Sequence, residues 1–254
     1  MRWNKPEVRA QEVRELASRY GLDNLTASIF ARRGLSEPEA ILYYLEDDPR
    51  YLRNPFLFEQ MEDAVDRILL AADEGEKILV FGDRDADGVT STVLVVKALR
   101  ELGCEVSWRV PKADEPYGLS LAAVEEFSAS GGSLIVTVDC GISNHAEVLR
   151  AAELGVDVIV TDHHRLQSGE PPEALALINP KLPDSGYPFR DLAGCGVAYK
   201  LASALKLART GIYKQQVALL NVRPANDSFI VEAVRLSNLV ETGRIRETIV
   251  PGMV

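Results

Sequence analysis

The stretch Lys77–Ser91, KILVFGDRDADGVTS, decides the fold of this chain. It begins with the apolar run Ile78–Phe81, which is typical of a strand buried on both faces of a parallel sheet. Three aspartates follow at alternate positions: Asp83, Asp85 and Asp87. An apolar-periodic segment then runs over residues 89–102. The stretch therefore predicts a strand, an acidic turn and a helix.

The three aspartates need a neutralising partner. Carboxylates this close repel one another unless a cation or protons are present, and oxygen ligands suit a divalent metal. One alternative is an EF-hand loop, but its twelfth position, counted from Asp83, is Leu94 rather than Glu, and a strand rather than a helix precedes it. A second alternative is a solvated acidic turn that binds no metal, and the rest of the chain has to decide against it.

Composition limits the class of protein. At 254 residues the chain forms one large or two small domains, and 46% hydrophobic residues suit a sizeable core. It has no apolar stretch of about 18 residues and no secretory leader, so neither a membrane span nor export is predicted. Three cysteines without CxxC spacing indicate free thiols in a reducing cytoplasm. The net charge of -10 argues against a broad basic surface for nucleic acid, but not against metal-mediated binding of phosphates.

The order of elements predicts the fold class. The first 75 residues have helical spacing and are predicted to form a helical N-terminal segment packed on the core. From residue 76 strands and helices alternate. Strands are predicted at 78–82, 105–110, 134–138, 156–160 and 174–178, and helices at 89–102, 119–130, 143–154 and 194–208. This pattern indicates an α/β fold with a doubly wound, mostly parallel sheet over residues 76–254.

Polar residues follow three of the predicted strands at their carboxyl ends. Besides the first acidic turn, they are Asp139, Asp162, His163 and His164. Ligands of open α/β sheets bind at this edge, so the metal interpretation is favoured over a solvated turn. Carboxylates with one or two imidazoles suit Mn²⁺ or Mg²⁺, and their number suggests two ions that share an aspartate. Thr90 and Ser91, at the start of the following helix, are predicted to hold a phosphate oxygen.

These motifs resemble a known family. GDRDADGVTS, VTVDCGIS and TDHH are similar to the first three motifs of the DHH phosphoesterases. NPFLF, YGLS, INPK and YPFRDLAGCGVAYKLA are similar to the bacterial single-stranded-DNA exonucleases within that family. The resemblance covers most of residues 1–208. It implies a phosphodiesterase of DNA repair and recombination that uses two Mn²⁺ or Mg²⁺ ions and removes nucleotides from the 5′ end of single-stranded DNA.

The resemblance also implies roles for individual residues. Asp85 and Asp87 match the paired metal-binding aspartates, Asp83 matches the leading aspartate, and Asp139 matches the one that bridges both ions. His163 matches the metal-binding histidine. We therefore expect all five to be metal ligands, with Asp139 and His163 also taking part in catalysis.

The second histidine of the pair, His164, matches a residue that contacts the scissile phosphate, so we expect it to take part in catalysis as well. Asp162 is expected to orient a histidine. In the loop before YGLS, the residues usual in the family are replaced, which leaves Arg109 and Lys112 as predicted phosphate contacts. The fourth motif is diverged. There Asp227 is the candidate metal ligand, and the alternative is that it caps a helix over 228–240.

The resemblance further implies partners. We expect single-stranded DNA as substrate, a single-stranded-DNA-binding protein and a helicase as protein partners, no membrane contact, and a cytoplasmic monomer. The family's DHH-associated domain and OB-fold do not occur in these residues, which predicts weak DNA affinity and weak or absent activity for this chain alone.

Two other functions remain open. The same metal site would also serve hydrolysis of a smaller substrate, such as pyrophosphate, a short oligonucleotide or a cyclic dinucleotide. The other alternative is an inactive DHH module that mediates interactions in replication or repair. Loss of ligands would indicate the inactive module, yet Asp85, Asp87, Asp139 and His163 are all in place.

Overall fold

A computed structural model of the chain describes residues 6–46, 52–112, 115–167, 169–214, 217–237 and 240–249. The chain divides into two compact units, Met1–Arg53 and Asn54–Val254. None of the described helices combines the length and the apolar composition that crossing a bilayer requires.

The first unit contains three short helices: α1 (Ala10–Tyr20), α2 (Asn24–Arg32) and α3 (Pro38–Leu45). Asp23 caps α2, because its carboxylate accepts hydrogen bonds from the Leu25 and Thr26 amides at 2.8 and 3.0 Å. A small apolar core joins the three helices and consists of Leu16, Ala27, Phe30 and Ile41.

The second unit is built on a five-stranded sheet. Its elements are α4 (Met61–Glu74), β1 (Lys77–Gly82), α5 (Ala86–Glu101), β2 (Glu105–Arg109), α6 (Leu121–Ala129), β3 (Gly132–Val138), α7 (His145–Glu153), β4 (Asp157–Thr161), β5 (Ala176–Ile178) and α8 (Gly194–Ala208). The strand order is β2-β1-β3-β4-β5, and every pairing is parallel. The predicted doubly wound α/β sheet is confirmed. The strand order reverses between β1 and β3, which is where such sheets place their ligand sites.

Both faces of β1 are buried, as its apolar run predicts. Ile78 and Val80 pack with residues of α4, α5 and α8, whereas Leu79 and Phe81 pack with residues of α6 and α7. Alternate residues of a strand point to opposite faces, so one run of four apolar residues serves two cores. Burial of each such side chain contributes about 1.5–3 kcal/mol, which fixes β1 in the middle of the fold.

The boundary between the two units differs from the predicted one. Helix α4 lies in the unit that begins at Asn54, and its residues Met61, Val65 and Ile68 are fully buried in the core on the α8 face of the sheet. The helical spacing of the first 75 residues does not reveal this division, since it is the same in both units.

The helix predicted over 228–240 is wrong. Residues from 217 onward form an antiparallel sheet of three strands, β6 (Val217–Ala225), β7 (Ser228–Ser237) and β8 (Val240–Ile249). Ala225 pairs with Ser228 across a two-residue turn, and Asn226 adopts the positive φ of 51° that such hairpin turns favour. The β-branched and aromatic residues of β7 agree with a strand better than with a helix.

Gly88 in α5 lies so close to the backbone of Asp83 that a side chain would not fit between them. A Cβ there would lie 2.4 Å from the backbone oxygen of Asp83, whereas a Cβ on Gly196 in α8 would meet only the flexible Leu192 side chain at 3.3 Å. We expect Gly88→Ala to lower the free energy of unfolding by about 1–3 kcal/mol, because the backbone must shift. The matched Gly196→Ala change should alter it by less than about 1 kcal/mol. Urea denaturation followed by circular dichroism measures both, and equal stability of the two variants would contradict this assignment.

Candidate metal centre

The acidic residues and histidines lie at one edge of the sheet. Asp83 follows β1, Asp139 follows β3, and Asp162, His163 and His164 follow β4. These three strands are neighbours in the parallel sheet, so their carboxyl ends bring the side chains together at the position where the strand order reverses.

The side chains form two overlapping groups whose ligand atoms are close enough to hold a cation. Asp83, Asp85 and Asp139 form one group, and Asp139, His163 and His164 form the other. Within each group the oxygen or nitrogen atoms lie within 4.8 Å of one another. Asp139 belongs to both groups, which is the arrangement expected of a carboxylate shared between two ions.

Asp139 is held in an unusual backbone conformation. Its φ is 58°, a left-handed value that is uncommon outside glycine, and its amide donates to the Thr161 carbonyl at 2.9 Å. The side chain is only 2% exposed, and its Oδ1 accepts no well-aligned hydrogen bond from the described residues, although His163 Nε2 lies 3.1 Å away. Burial, together with the charges of Asp87 and Asp85, raises the pKa of Asp139 to about 7.

A second buried carboxylate oxygen has no partner. Oδ1 of Asp83 accepts no hydrogen bond from the described residues, and the side chain is 8% exposed. Asp85 is exposed, and its carboxylate caps α5 by accepting from the Gly88 amide at 2.9 Å. Unpaired buried oxygens are costly and need an explanation, and a set of carboxylates with imidazoles fits Mn²⁺ or Mg²⁺ well.

Asp87 is positioned by the amino-terminal end of α8. Its two carboxylate oxygens accept hydrogen bonds from the Gly194 and Cys195 amides at 2.6 and 2.7 Å. Burial opposes its charge, but these hydrogen bonds bring the pKa of Asp87 below its usual value. Its Oδ2 lies 3.6 Å from His163 Nε2, so Asp87 adjoins the centre without belonging to either group. The sequence does not reveal the contact with α8, because the partners are backbone amides over 100 residues away.

Asp162 orients the histidine pair. It is 1% exposed, and its Oδ1 accepts from the His163 and His164 amides and lies 2.7 Å from His164 Nδ1. Burial opposes the charge of Asp162, but the hydrogen bonds from His164 and Ile142 lower its pKa. The bond to Asp162 in turn raises the pKa of His164, whereas burial and the charges of His164 and Lys181 lower the pKa of His163.

Tyr117 belongs to the site, although the sequence assigns it no role. Its hydroxyl donates to the Asp139 carbonyl at 2.9 Å and lies 3.2 Å from His164 Nδ1. Burial and the charge of Asp162 raise the pKa of Tyr117, so the hydroxyl remains protonated. The YGLS segment is the signal that points to this residue.

Two residues predicted to contact phosphate, Thr90 and Ser91, donate their hydroxyl groups to backbone carbonyls instead. Ser91 is fully buried and donates to the Asp87 carbonyl at 2.6 Å, which disfavours its predicted contact with phosphate. Thr90 is exposed, but its hydroxyl donates to the Ala86 carbonyl at 2.8 Å, within its own helix. A hydroxyl that serves the helix backbone in this way is less available to a ligand.

The remaining predicted residues are not brought into either group. The guanidinium of Arg109 pairs with Glu115 and Glu126, each at 2.7 Å, and so holds the following loop. Lys112 is exposed, and its phosphate contact stays a prediction. Asp227 is exposed in the turn between β6 and β7, and because a strand follows it, the alternative role as a helix cap is wrong.

The raised pKa of Asp139 predicts a pH-dependent stability in the absence of metal. The folded protein holds this proton more tightly than the unfolded chain, so the stabilisation is complete below about pH 4 and is lost as the pH rises through about 7. Asp139→Asn has no such proton to lose. In EDTA, the melting temperature of this variant, followed by circular dichroism, should therefore rise relative to that of the native chain between about pH 4 and 7. Exposed Asp184→Asn is the control, and parallel curves for native chain and Asp139→Asn would contradict the assignment.

Comparison with known proteins identifies relatives. RecJ, the single-stranded-DNA-specific exonuclease of Bacillus subtilis, is 40% identical over 206 residues, covering 81% of this chain and 26% of the relative. The Escherichia coli protein of the same name is 42% identical over 206 residues, covering 79% and 34%. The crystal structure of RecJ from Thermus thermophilus in complex with Mn²⁺ matches with a TM-score of 0.61 and 32% identity, covering 80% and 28%.

The chain thus spans about a quarter to a third of the length of these curated relatives. The DHH family, N-terminal domain, matches residues 77–222, which include the five parallel strands and every residue of the two ligand groups. That match covers more than half of the sequence, and the chain belongs to the DHH family.

Proposed function

We propose that this chain carries the catalytic core of a metal-dependent exonuclease that hydrolyses phosphodiester bonds of single-stranded DNA from the 5′ end, in DNA repair and recombination. The proposal rests on one observation: Asp139 belongs to both ligand groups, at the position where the strand order of the sheet reverses. The relatives from Bacillus subtilis and Escherichia coli are single-stranded-DNA-specific exonucleases, which supports this substrate class.

The residues that would hold two cations are those of the two groups other than His164, which is assigned to the phosphate. Asp83 and Asp85 would hold one ion, His163 the other, and Asp139 both, with Asp87 beside them. RecJ from Thermus thermophilus has been crystallised in complex with Mn²⁺ and in complex with Mg²⁺, which supports these two metals. When bound, such ions neutralise the negative charge of the phosphodiester and make water a better nucleophile.

The protein's own groups position and neutralise the substrate. Asp162 fixes His164 through Nδ1, so its Nε2 is left to donate to a phosphate oxygen. The raised pKa of His164 favours the charged imidazolium, which suits an anionic substrate. The Tyr117 hydroxyl adds a second contact on the Nδ1 side and limits rotation of the ring.

The wider assignments belong to the same proposal. We infer a cytoplasmic protein that acts as a monomer with a single-stranded-DNA-binding protein and a helicase. Free buried thiols agree with a reducing compartment: Cys104 and Cys140 are buried and unpaired in disulfides. Asp227 and Lys112 remain predicted as contributors to the metal site and to phosphate binding.

Metal binding and hydrolysis together test the proposal. Titration calorimetry should show two Mn²⁺ ions per chain, and Asp139→Ala should lose both or bind them at least about tenfold more weakly, because both groups lose a ligand. With Mn²⁺, the chain should shorten a 3′-labelled single strand slowly and progressively, as the weak activity expected of this chain alone implies. The first labelled product from a 5′-labelled strand should be the mononucleotide. The Asp184→Asn variant serves as the control.

Other outcomes would replace the proposal. Two bound ions with hydrolysis of pyrophosphate or cyclic dinucleotides, but not of single-stranded DNA, would favour the smaller-substrate alternative. Absence of Mn²⁺ binding at millimolar concentration would favour the inactive interaction module.

Substitution of His163 and substitution of His164 should have different effects on Mn²⁺ affinity and on hydrolysis. His163→Gln removes a predicted ligand, so we expect Mn²⁺ affinity and hydrolysis to fall together. His164→Gln should keep Mn²⁺ affinity within about threefold but lower kcat by about 100-fold, the usual effect of removing one donor to a developing charge. Calorimetry and steady-state kinetics on the same preparations separate the two. Equal losses of Mn²⁺ affinity would make His164 a metal ligand rather than a phosphate contact.

A further inference from the structure

A cavity of about 580 Å³ adjoins the histidine side of the metal centre. It begins at the residue after His164 and continues along the segment that follows β5. Its lining combines three cations, three apolar residues and one carboxylate: Arg165, Lys181, Arg190, Leu166, Leu182, Pro183 and Asp191.

The cavity wall is tied to the metal centre by hydrogen bonds. The side-chain amide of Asn179, which is fully buried, donates to the His164 carbonyl at 3.0 Å. The Asn179 Oδ1 atom accepts from the Lys181 amide at 2.9 Å. The guanidinium of Arg190 donates to the Lys181 carbonyl. These bonds fix the backbone that carries Lys181 and Arg190 relative to the backbone of His164.

The segment that carries Lys181 is also attached to the region of Phe58 and Glu59. The ring of Tyr187 stacks on Phe58 with 4.2 Å between centroids, and the Ser185 carbonyl accepts from the Glu59 amide at 2.9 Å. Both aromatic rings are buried in the core. Such support keeps a binding surface ordered before its ligand arrives, which reduces the entropy lost on binding.

Two of the cations are available to a ligand. The side chains of Arg165 and Lys181 form no ion pair or hydrogen bond with the described part of the chain, whereas Arg109 and Arg150 are each paired with two glutamates. These two cations face the cavity without a paired carboxylate among the described residues, although the chain as a whole carries a net charge of -10. Asp191 offsets only one of the three charges.

We propose that this cavity binds the nucleotide next to the scissile phosphodiester, with Arg165 and Lys181 holding its phosphate. The inference rests on the proposed function. Arginine forks and lysine ammonium groups are the usual partners of phosphate oxygens. The apolar wall of Leu166, Leu182 and Pro183 suits a sugar or base, which distinguishes the cavity from a site for inorganic phosphate. The volume lies within the range of small-ligand sites.

The test is equilibrium binding of a fluorescent dT hexamer with phosphorothioate linkages, which resists hydrolysis, measured by anisotropy with Mn²⁺ present. Arg165→Gln and Lys181→Gln should each weaken binding about tenfold, as expected for loss of a charge-assisted hydrogen bond. The slope of log affinity against log salt should also become shallower by about 0.7 in each variant. The Mn²⁺ affinity of the Arg165→Gln variant, measured by calorimetry, should not change.

Lys206→Gln is the matched control, since this exposed lysine lies on α8 outside the cavity lining and should leave binding unchanged. Hexamer binding by Arg165→Gln and Lys181→Gln equal to that of the native chain would overturn the proposal, as would absence of hexamer binding by the native chain. Failure of the proposed function is distinguishable, because it would appear as Mn²⁺ and hexamer binding without hydrolysis of an ordinary strand. Arg165 is exposed, so its variant keeps the test valid if Lys181→Gln unfolds.

Discussion

Electrostatic repulsion among crowded carboxylates is the constraint on which this site depends. The carboxylates differ in how far hydrogen bonds offset this repulsion. Asp162 accepts three backbone amides, and Asp87 accepts two from the end of α8, so both stay ionised. Asp139 and Asp83 each keep a buried oxygen without a donor among the described residues. The unsatisfied charge is thus concentrated between the two ligand groups, where a cation would relieve it.

The packing of α8 connects the core to this charge distribution. A Cβ on Gly194 would lie 2.3 Å from Asp139 Oδ1, so only glycine lets the start of α8 approach both Asp139 and Asp87. The apolar residues Val197, Leu201 and Leu205 of α8 are buried with residues of α4 and α5 on one face of the sheet. Stability of that core and geometry of the metal centre are consequently coupled, since movement of α8 would remove the amides that hold Asp87.

The local distribution of charge bears on the binding of anionic ligands more than the net charge does. A net charge of -10 disfavours contact with DNA, yet Asp83, Asp85 and Asp139 converge at the candidate metal centre, and Arg165 and Lys181 face a cavity beside it. A bound cation and these two side chains would together present positive charge to an anionic ligand. This arrangement reconciles the acidic composition with relatives that are single-stranded-DNA-specific exonucleases.

Local sequence patterns predict the α/β class, the five parallel strands and the gathering of Asp83, Asp139 and His163 at one edge, because these features depend on local periodicity and on where strands end. They misassign 228–240 as a helix, since the two-residue turn at Asn226 outweighs the apolar spacing of the next segment. Only the tertiary structure decided that Ser91 is buried, that α8 amides hold Asp87, and that Tyr117 bonds to Asp139. Those features arise from contacts between residues far apart in sequence, and no local pattern specifies such contacts.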